Sequence, residues 1–108
     1  MKVVRYGIYL ADLNPTLGAE MSKVRPVVVV SLDEMNAALD TVVICPLTTR
    51  LHPRWRSRLQ IRCVGKPAEI AVDQIRAISR SRLRRRIDSL TPLAALQLRQ
   101  VITEMYGE

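Results

Sequence analysis

Glu20, Arg25, Thr48 and Asp73 are side chains of the types needed to break a phosphodiester. RNA carries its own nucleophile, the 2′-hydroxyl. Cleavage at the adjacent phosphorus therefore needs a base for that proton, a fixed charge on the phosphorane and a proton source for the leaving oxygen. Arg25 suits the charge clamp, because a guanidinium stays protonated throughout the ordinary pH range. Thr48 can donate a hydrogen bond to a phosphoryl oxygen, and either Glu20 or Asp73 can accept the 2′-hydroxyl proton. Such chemistry requires no metal. Each residue also has a plainer role open to it: Thr48 as a hydroxyl closing a strand end, Asp73 as an arginine partner, Glu20 as a solvated loop charge.

These groups act together only if the chain brings them to one place, and the valine run Val27-Val28-Val29-Val30 is the element that would do so. An unbroken apolar run does not alternate as a half-exposed strand must, so it predicts a central strand buried on both faces. Pro26, which has no amide hydrogen for a ladder, belongs at the start of that strand and pushes Arg25 into an extended conformation at the rim of the sheet. Gly7 to Leu13 forms the strand before it, stopped by Asn14-Pro15-Thr16. A loop of about ten residues then carries Gly18, Glu20, Met21 and Lys23, long enough to suggest function.

After the valines, residues 33–39 form about two turns of helix, and Thr41 to Cys45 a second doubly buried strand. That strand ends at Pro46-Leu47-Thr48-Thr49-Arg50, and residues 50 to 57 make a basic loop around His52-Pro53. Arg58 to Val64 alternates polar with apolar, which marks a strand with one wet, cationic face. Gly65-Lys66-Pro67 is a turn. Residues 69–78 form one bent strand or two short ones, with charges alternating onto one face. A turn of helix fits Ser79 to Leu83, and residues 84–90 fit a last short strand. Thr91 caps a closing helix with Pro92 at its first position, and Ala94, Leu98, Val101, Ile102, Met105 and Tyr106 form its apolar stripe. The expected fold is mainly β with a C-terminal helix: a small, partly open antiparallel barrel in a single domain over residues 1–108.

Composition agrees. Apolar residues make up 48% of the chain and aromatics only 4%, with no phenylalanine, so Val, Ile and Leu must build the core, and these favour sheet. No apolar run is long enough to span a bilayer, and the start Met1-Lys2-Val3-Val4-Arg5 lacks the apolar region of a signal peptide, so a cytoplasmic protein without membrane attachment is expected. Cys45 and Cys63 with the lone His52 cannot make a four-ligand zinc site and read as reduced thiols; neither a metal nor a cofactor is expected. The net charge of +7 points to a polyanion. Arginines concentrate at Arg50, Arg54, Arg56 and Arg58 and again from Arg80 to Arg86. Arginine rather than lysine favours bidentate contact with phosphate or carboxylate. The first run follows directly on Thr48 and is expected to contact RNA phosphates. The second is expected to face an acidic protein segment or another surface.

In this order and spacing the sequence resembles the MazF/PemK family of toxin endoribonucleases. The resemblance is carried by Ile8-Tyr9-Leu10-Ala11-Asp12-Leu13-Asn14-Pro15-Thr16, Gly18-Ala19-Glu20, Arg25-Pro26-Val27-Val28-Val29-Val30-Ser31, Thr41-Val42-Val43-Ile44-Cys45-Pro46-Leu47-Thr48 and Val72-Asp73-Gln74-Ile75-Arg76. It implies an SH3-like barrel, a homodimer, and sequence-specific, metal-independent cleavage of single-stranded RNA to 2′,3′-cyclic phosphate and 5′-hydroxyl ends. It also implies an antitoxin whose acidic segment blocks the RNA groove. The family's catalytic roles fall on Arg25 and Thr48, with Glu20 a candidate base and Asp73-Gln74 at positions tied to RNA contact or acid–base work. Lys23, Thr49, Arg50, Arg54, Arg56, Arg58, Gln74 and Arg76 are the expected RNA-binding set. The sequence departs from the family at Arg5-Tyr6-Gly7, at Met21, and at Ala71, where some members carry an arginine used as acid. A non-catalytic nucleic-acid-binding barrel, or a scaffold for an acidic protein, would account for the charge equally well.

Overall fold

The valine run is buried to its last member, and it sets the plan of the molecule. In the computed structural model, which describes residues 1–13 and 24–107, strand β2 spans Val24–Val29. Successive side chains of a strand point to opposite faces, so a run buried throughout needs apolar material on both. Val27 and Val29 pack with Tyr9, Ala11, Val42 and Ile44 on one face. Val28 and Val30 pack with Ile8, Cys45, Ile70 and Leu98 on the other.

The remaining elements are β1 (Gly7–Asp12), α1 (Asp33–Ala38), β3 (Thr41–Thr48), β4 (Arg58–Cys63), β5 (Lys66–Ala71), β6 (Arg76–Ser79), β7 (Leu83–Ser89) and α2 (Pro92–Tyr106). Short 3₁₀ turns occupy Val72–Gln74 and Arg80–Arg82. All pairings are antiparallel, in the order β4-β5-β3-β2-β1-β7, with β6 also paired to β3. The sheet curls into an open half-barrel, with β4 and β7 at the two ends of the strand order. One hydrogen bond spans that opening: Asp88 on β7 accepts the Val64 amide at 2.7 Å, at the tip of the β4–β5 hairpin. Val64 and Gly65 there have φ of 52° and 76°, as a two-residue hairpin turn requires. Gly65 adopts this freely, whereas Val64 is a branched residue in a region it rarely enters.

Pro26 and Pro46 both lie inside strands. Pro26 is the third residue of β2, opposite Leu10. The ladder to β3 begins only at Val27, so at Pro26 one side of the strand has no partner. β3 runs through Pro46 to Thr48 rather than ending at Cys45. On one side β3 pairs with β6 over residues 41–44 and with β5 at Leu47 and Thr48, and Pro46 falls in the gap between them. A residue without an amide hydrogen fits both places. Lys66 and Pro67 likewise belong to β5, and the turn comes earlier, at Val64 and Gly65.

The closing helix α2 covers the second face. Thr91 Oγ1 accepts the Ala94 amide at 3.1 Å, with Pro92 at the first position, as the sequence predicts. Ala95 and Leu98 are its buried residues, with Val101, Ile102 and Met105 packed beside them, so the buried stripe starts one position later than Ala94. No helix among the described residues is long and apolar enough to cross a membrane.

Candidate active site

The register of the sheet brings two of the expected catalytic residues, Arg25 and Thr48, to neighbouring strands. Arg25 on β2 lies opposite Ala11 on β1. The β2–β3 ladder pairs Val27 with Pro46. Carried two residues further, the same register sets Arg25 opposite Thr48. Thr48 is in turn paired with Glu69 on β5, and Glu69 with Gln60 on β4. Directly opposed residues share a face of the sheet. The row Ala11, Arg25, Thr48, Glu69, Gln60 therefore continues the face that begins as the core around Tyr9 and Val27 and turns polar at its end.

Arg25, Leu47, Thr48 and Arg50 line two adjoining hollows. The larger, about 750 Å³, extends over Cys63, Val64, Lys66 and Ile87. The smaller, about 160 Å³, is bounded by His52, Arg58, Ala71 and Gln74. Arg25 is exposed, and among the described residues no hydrogen bond or ion pair engages its guanidinium. Thr48 is half-buried, and its hydroxyl oxygen accepts the Arg50 amide at 3.0 Å. That bond fixes the oxygen and leaves the hydroxyl proton to donate.

The other end of the row is closed. Glu69 is 0% exposed. Its carboxylate accepts the His52 amide at 2.5 Å, Gln60 Nε2 at 2.6 Å and Arg58 Nη1 at 2.6 Å. Burial alone would push this carboxyl up; the hydrogen bonds from Gln60, His52 and Arg58, together with the Arg58 charge, hold it below the usual glutamate range. Arg58 also donates from Nε to Asp73 at 2.8 Å, and its side chain is only 7% exposed. For Asp73, too, burial opposes ionisation and is outweighed, chiefly by Arg58 and Ser57, so its pKa is lowered. A buried charge that is paired and hydrogen-bonded is tolerated where a lone one is not.

The predicted residues therefore divide. Arg25, Thr48, Thr49, Arg50 and Gln74 meet at the cleft. Arg58 bounds the smaller hollow and its guanidinium is shared between Glu69 and Asp73. Asp73 is committed to Arg58, while its neighbour Gln74 lines the smaller hollow. Arg54 and Arg56 are exposed on the loop, Arg56 with Nη2 2.7 Å from Glu104 on α2. Arg76 is exposed on β6, opposite Ile44 and further back along β3. Glu20 and Lys23 lie outside the described residues, as does the loop that carries them. Glu69 and Lys66 escaped the sequence reading. Glu69 was placed with charges on a wet face; a signal against that was the apolar company of Ala68, Ile70 and Ala71. Both thiols are free. Cys45 is buried and pushed up to about 12, by burial and then by Asp73; Cys63, half-buried, is raised by burial and then by Asp88.

The sequence profile described as "PemK-like, MazF-like toxin of type II toxin-antitoxin system" matches residues 4–106. The chain is 30% identical over 102 residues to "Endoribonuclease MazF" of Staphylococcus saprophyticus, covering 90% of this chain and 82% of that one. Among solved structures it is similar to a MazE-MazF crystal structure from Deinococcus radiodurans, with TM-score 0.85 at 17% identity, covering 99% of this chain and 98% of that one. It is also similar to a mycobacterial endoribonuclease in complex with its cognate antitoxin, with TM-score 0.80 at 19% identity, covering 97% of this chain and 95% of the other.

Proposed function

This chain belongs to the PemK-like, MazF-like family of endoribonuclease toxins, and from that premise we propose that it cuts single-stranded RNA at chosen sequences without a metal. The 2′-hydroxyl gives its proton to a base as its oxygen forms a bond to the adjacent phosphorus, the bond from phosphorus to the 5′-oxygen breaks, that oxygen takes a proton from water, and the products are a 2′,3′-cyclic phosphate and a 5′-hydroxyl. The observation that carries this reading is that an exposed Arg25 and a half-buried Thr48 line the same open cleft. A fixed guanidinium and a fixed hydroxyl donor stabilise charge as it develops on the phosphoryl oxygens, and neither needs to reorganise. A module that only binds RNA has no need of that pairing.

Asp73, held ionised by Arg58, is a poor proton acceptor in this scheme. We therefore assign the base to Glu20. Thr49, Arg50, Arg54 and Gln74 track the strand, and the Arg58 charge holds the wall they stand on. The same cationic cleft suits the acidic segment of an antitoxin; the mycobacterial endoribonuclease is itself in complex with its cognate antitoxin, and we place this toxin, as a homodimer, in the cytoplasm.

The test is digestion of a mixed RNA pool in EDTA with analysis of the ends produced. Cyclic phosphate and 5′-hydroxyl ends at a restricted set of sequences are expected. Activity that disappears in EDTA and returns with magnesium would overturn the metal-free route, and binding without cutting would favour the inert barrel.

A further inference from the structure

The loop joining β3 to β4 carries an arrangement that the cleavage chemistry does not use. The rings of His52 and Trp55 are stacked, with centroids 3.9 Å apart and planes 9° from parallel. Trp55, the only tryptophan, is 49% exposed, although burying an indole against the barrel would recover a large apolar area. His52 lines the smaller hollow together with Arg25, Thr48 and Arg50. The pair is held by main chain: the His52 amide donates to Glu69, the Trp55 amide to the His52 carbonyl at 3.0 Å, and the Arg58 amide to the Trp55 carbonyl at 3.2 Å. The Arg58 guanidinium, itself fixed by Glu69 and Asp73, sits 4.7 Å from the Trp55 ring centroid. A flat aromatic surface is thus fixed before any ligand arrives, and binding on it would cost little ordering entropy.

We propose that the His52–Trp55 stack is a nucleobase subsite, taking the face of an unpaired base whose strand passes Arg25 and Thr48. The proposal rests on the RNA-cleaving reading above and adds to it where one base of that RNA is held. Stacking on aromatic side chains suits single strands, because every base has a π-face and only an unpaired base can offer it. An acidic protein segment would be drawn to the neighbouring arginines and would have no use for parallel rings.

The test is binding of short 2′-O-methyl RNA, which cannot attack its own backbone, to the intact protein. His52→Ala and Trp55→Ala should each weaken binding about five- to a hundredfold and leave the salt slope unchanged. Arg50→Ala should instead flatten that slope by about 0.7. An abasic nucleotide moved along the strand should cost the wild type affinity at one or two positions, and cost Trp55→Ala nothing further there. Trp55→Phe keeps a flat ring and should recover most of the loss. The substitutions leave the main-chain bonds of the loop in place, so the urea midpoint should hold. Wild-type affinity in both alanine variants, or an abasic scan that costs wild type and Trp55→Ala alike at every position, overturns the subsite even if RNA is cut. Loss of binding only to an acidic polypeptide such as polyglutamate also overturns it. A wild type that neither binds nor cuts any RNA overturns the subsite and the cleavage reading together.

Discussion

Arg25 and Arg58 stand near opposite ends of one polar row, and the sheet treats them in opposite ways. Arg25 is exposed and, among the described residues, unpaired. Arg58 is buried and shared between two carboxylates. The difference lies in what faces each: Arg25 is paired with Ala11 and shares a hollow with Thr48, whereas Arg58 donates to Glu69 and Asp73. A free guanidinium beside a fixed donor is available for a developing charge. A saturated one is scaffolding. The open end should therefore govern rate and the closed end stability, and substitutions that separate the two effects test this division.

The largest effect should follow from opening the closed end. Removing one member of a buried pair leaves the other charge uncompensated, at about 3–5 kcal/mol, so Glu69→Ala should lower the urea-unfolding free energy by about that amount. Acid should act on the same network. Glu69 and Asp73 both have lowered pKa values, from ordinary values of 4.5 and 3.8. Their contribution is then fully present above those values and is lost as pH falls through the lower folded ones. A wild type whose thermal midpoint holds down to about pH 5 and then declines, with a shallower decline in Glu69→Gln, is the expected result. Parallel curves would remove Glu69 from the acid response.

At the open end, Arg25→Ala should slow RNA cleavage by about two to three orders of magnitude, the usual cost of one preorganised transition-state group. Thr48→Ala should cost less, since it removes a neutral hydrogen bond. Both should leave the unfolding free energy within about 0.5 kcal/mol of wild type, because surface substitutions that leave no buried group unpaired rarely do more. Full activity in Arg25→Ala with unchanged circular dichroism would reverse the assignment of the two ends.

Much of the open end was legible in the sequence. The valine run fixed a central strand with Arg25 at its mouth, and Thr91-Pro92 announced the closing helix. The closed end was hidden because it depends on register. Whether an arginine is free or paired is decided by which strand lies beside it, and nothing local to Arg58 says that Glu69 and Asp73 do. Glu69 itself sits among apolar neighbours, but a charged residue in an alternating stretch is ordinarily assigned to the wet face. Pro46 hid the true length of β3 for a similar reason, since the gap between β5 and β6 that accommodates it is a property of the assembled sheet.

A smaller effect should distinguish the arginine runs. Part of the second run is already used inside the molecule: Arg80 donates to the Asn36 carbonyl, Arg82 to the Asp12 carbonyl at 3.0 Å, and Arg84 lies 3.3 Å from the Asp12 carboxylate. Neutralising Arg50 and Arg54 together should lower the salt slope of RNA binding by about 1.4. Neutralising Arg84, Arg85 and Arg86 should change it less and mainly weaken the complex with an acidic protein partner. Equal losses of slope in a salt titration would show that both runs line one groove.

The smallest effect concerns Arg56, an exposed arginine that has a carboxylate partner. Its pair with Glu104 is 2.7 Å long, but the side chains are 86% and 59% exposed. Water and salt screen such a pair, and holding two long side chains together costs entropy, so exposed pairs are worth at most about 1 kcal/mol. Glu104→Gln should therefore leave stability almost unchanged. It should also free the Arg56 guanidinium for phosphate and strengthen RNA binding, by no more than about fivefold at low salt and by less as salt rises. A loss of stability comparable to that of Glu69→Ala would mean that this surface contact is as structural as the buried one. Weaker RNA binding would mean that the pair with Glu104 holds Arg56 in place for the strand.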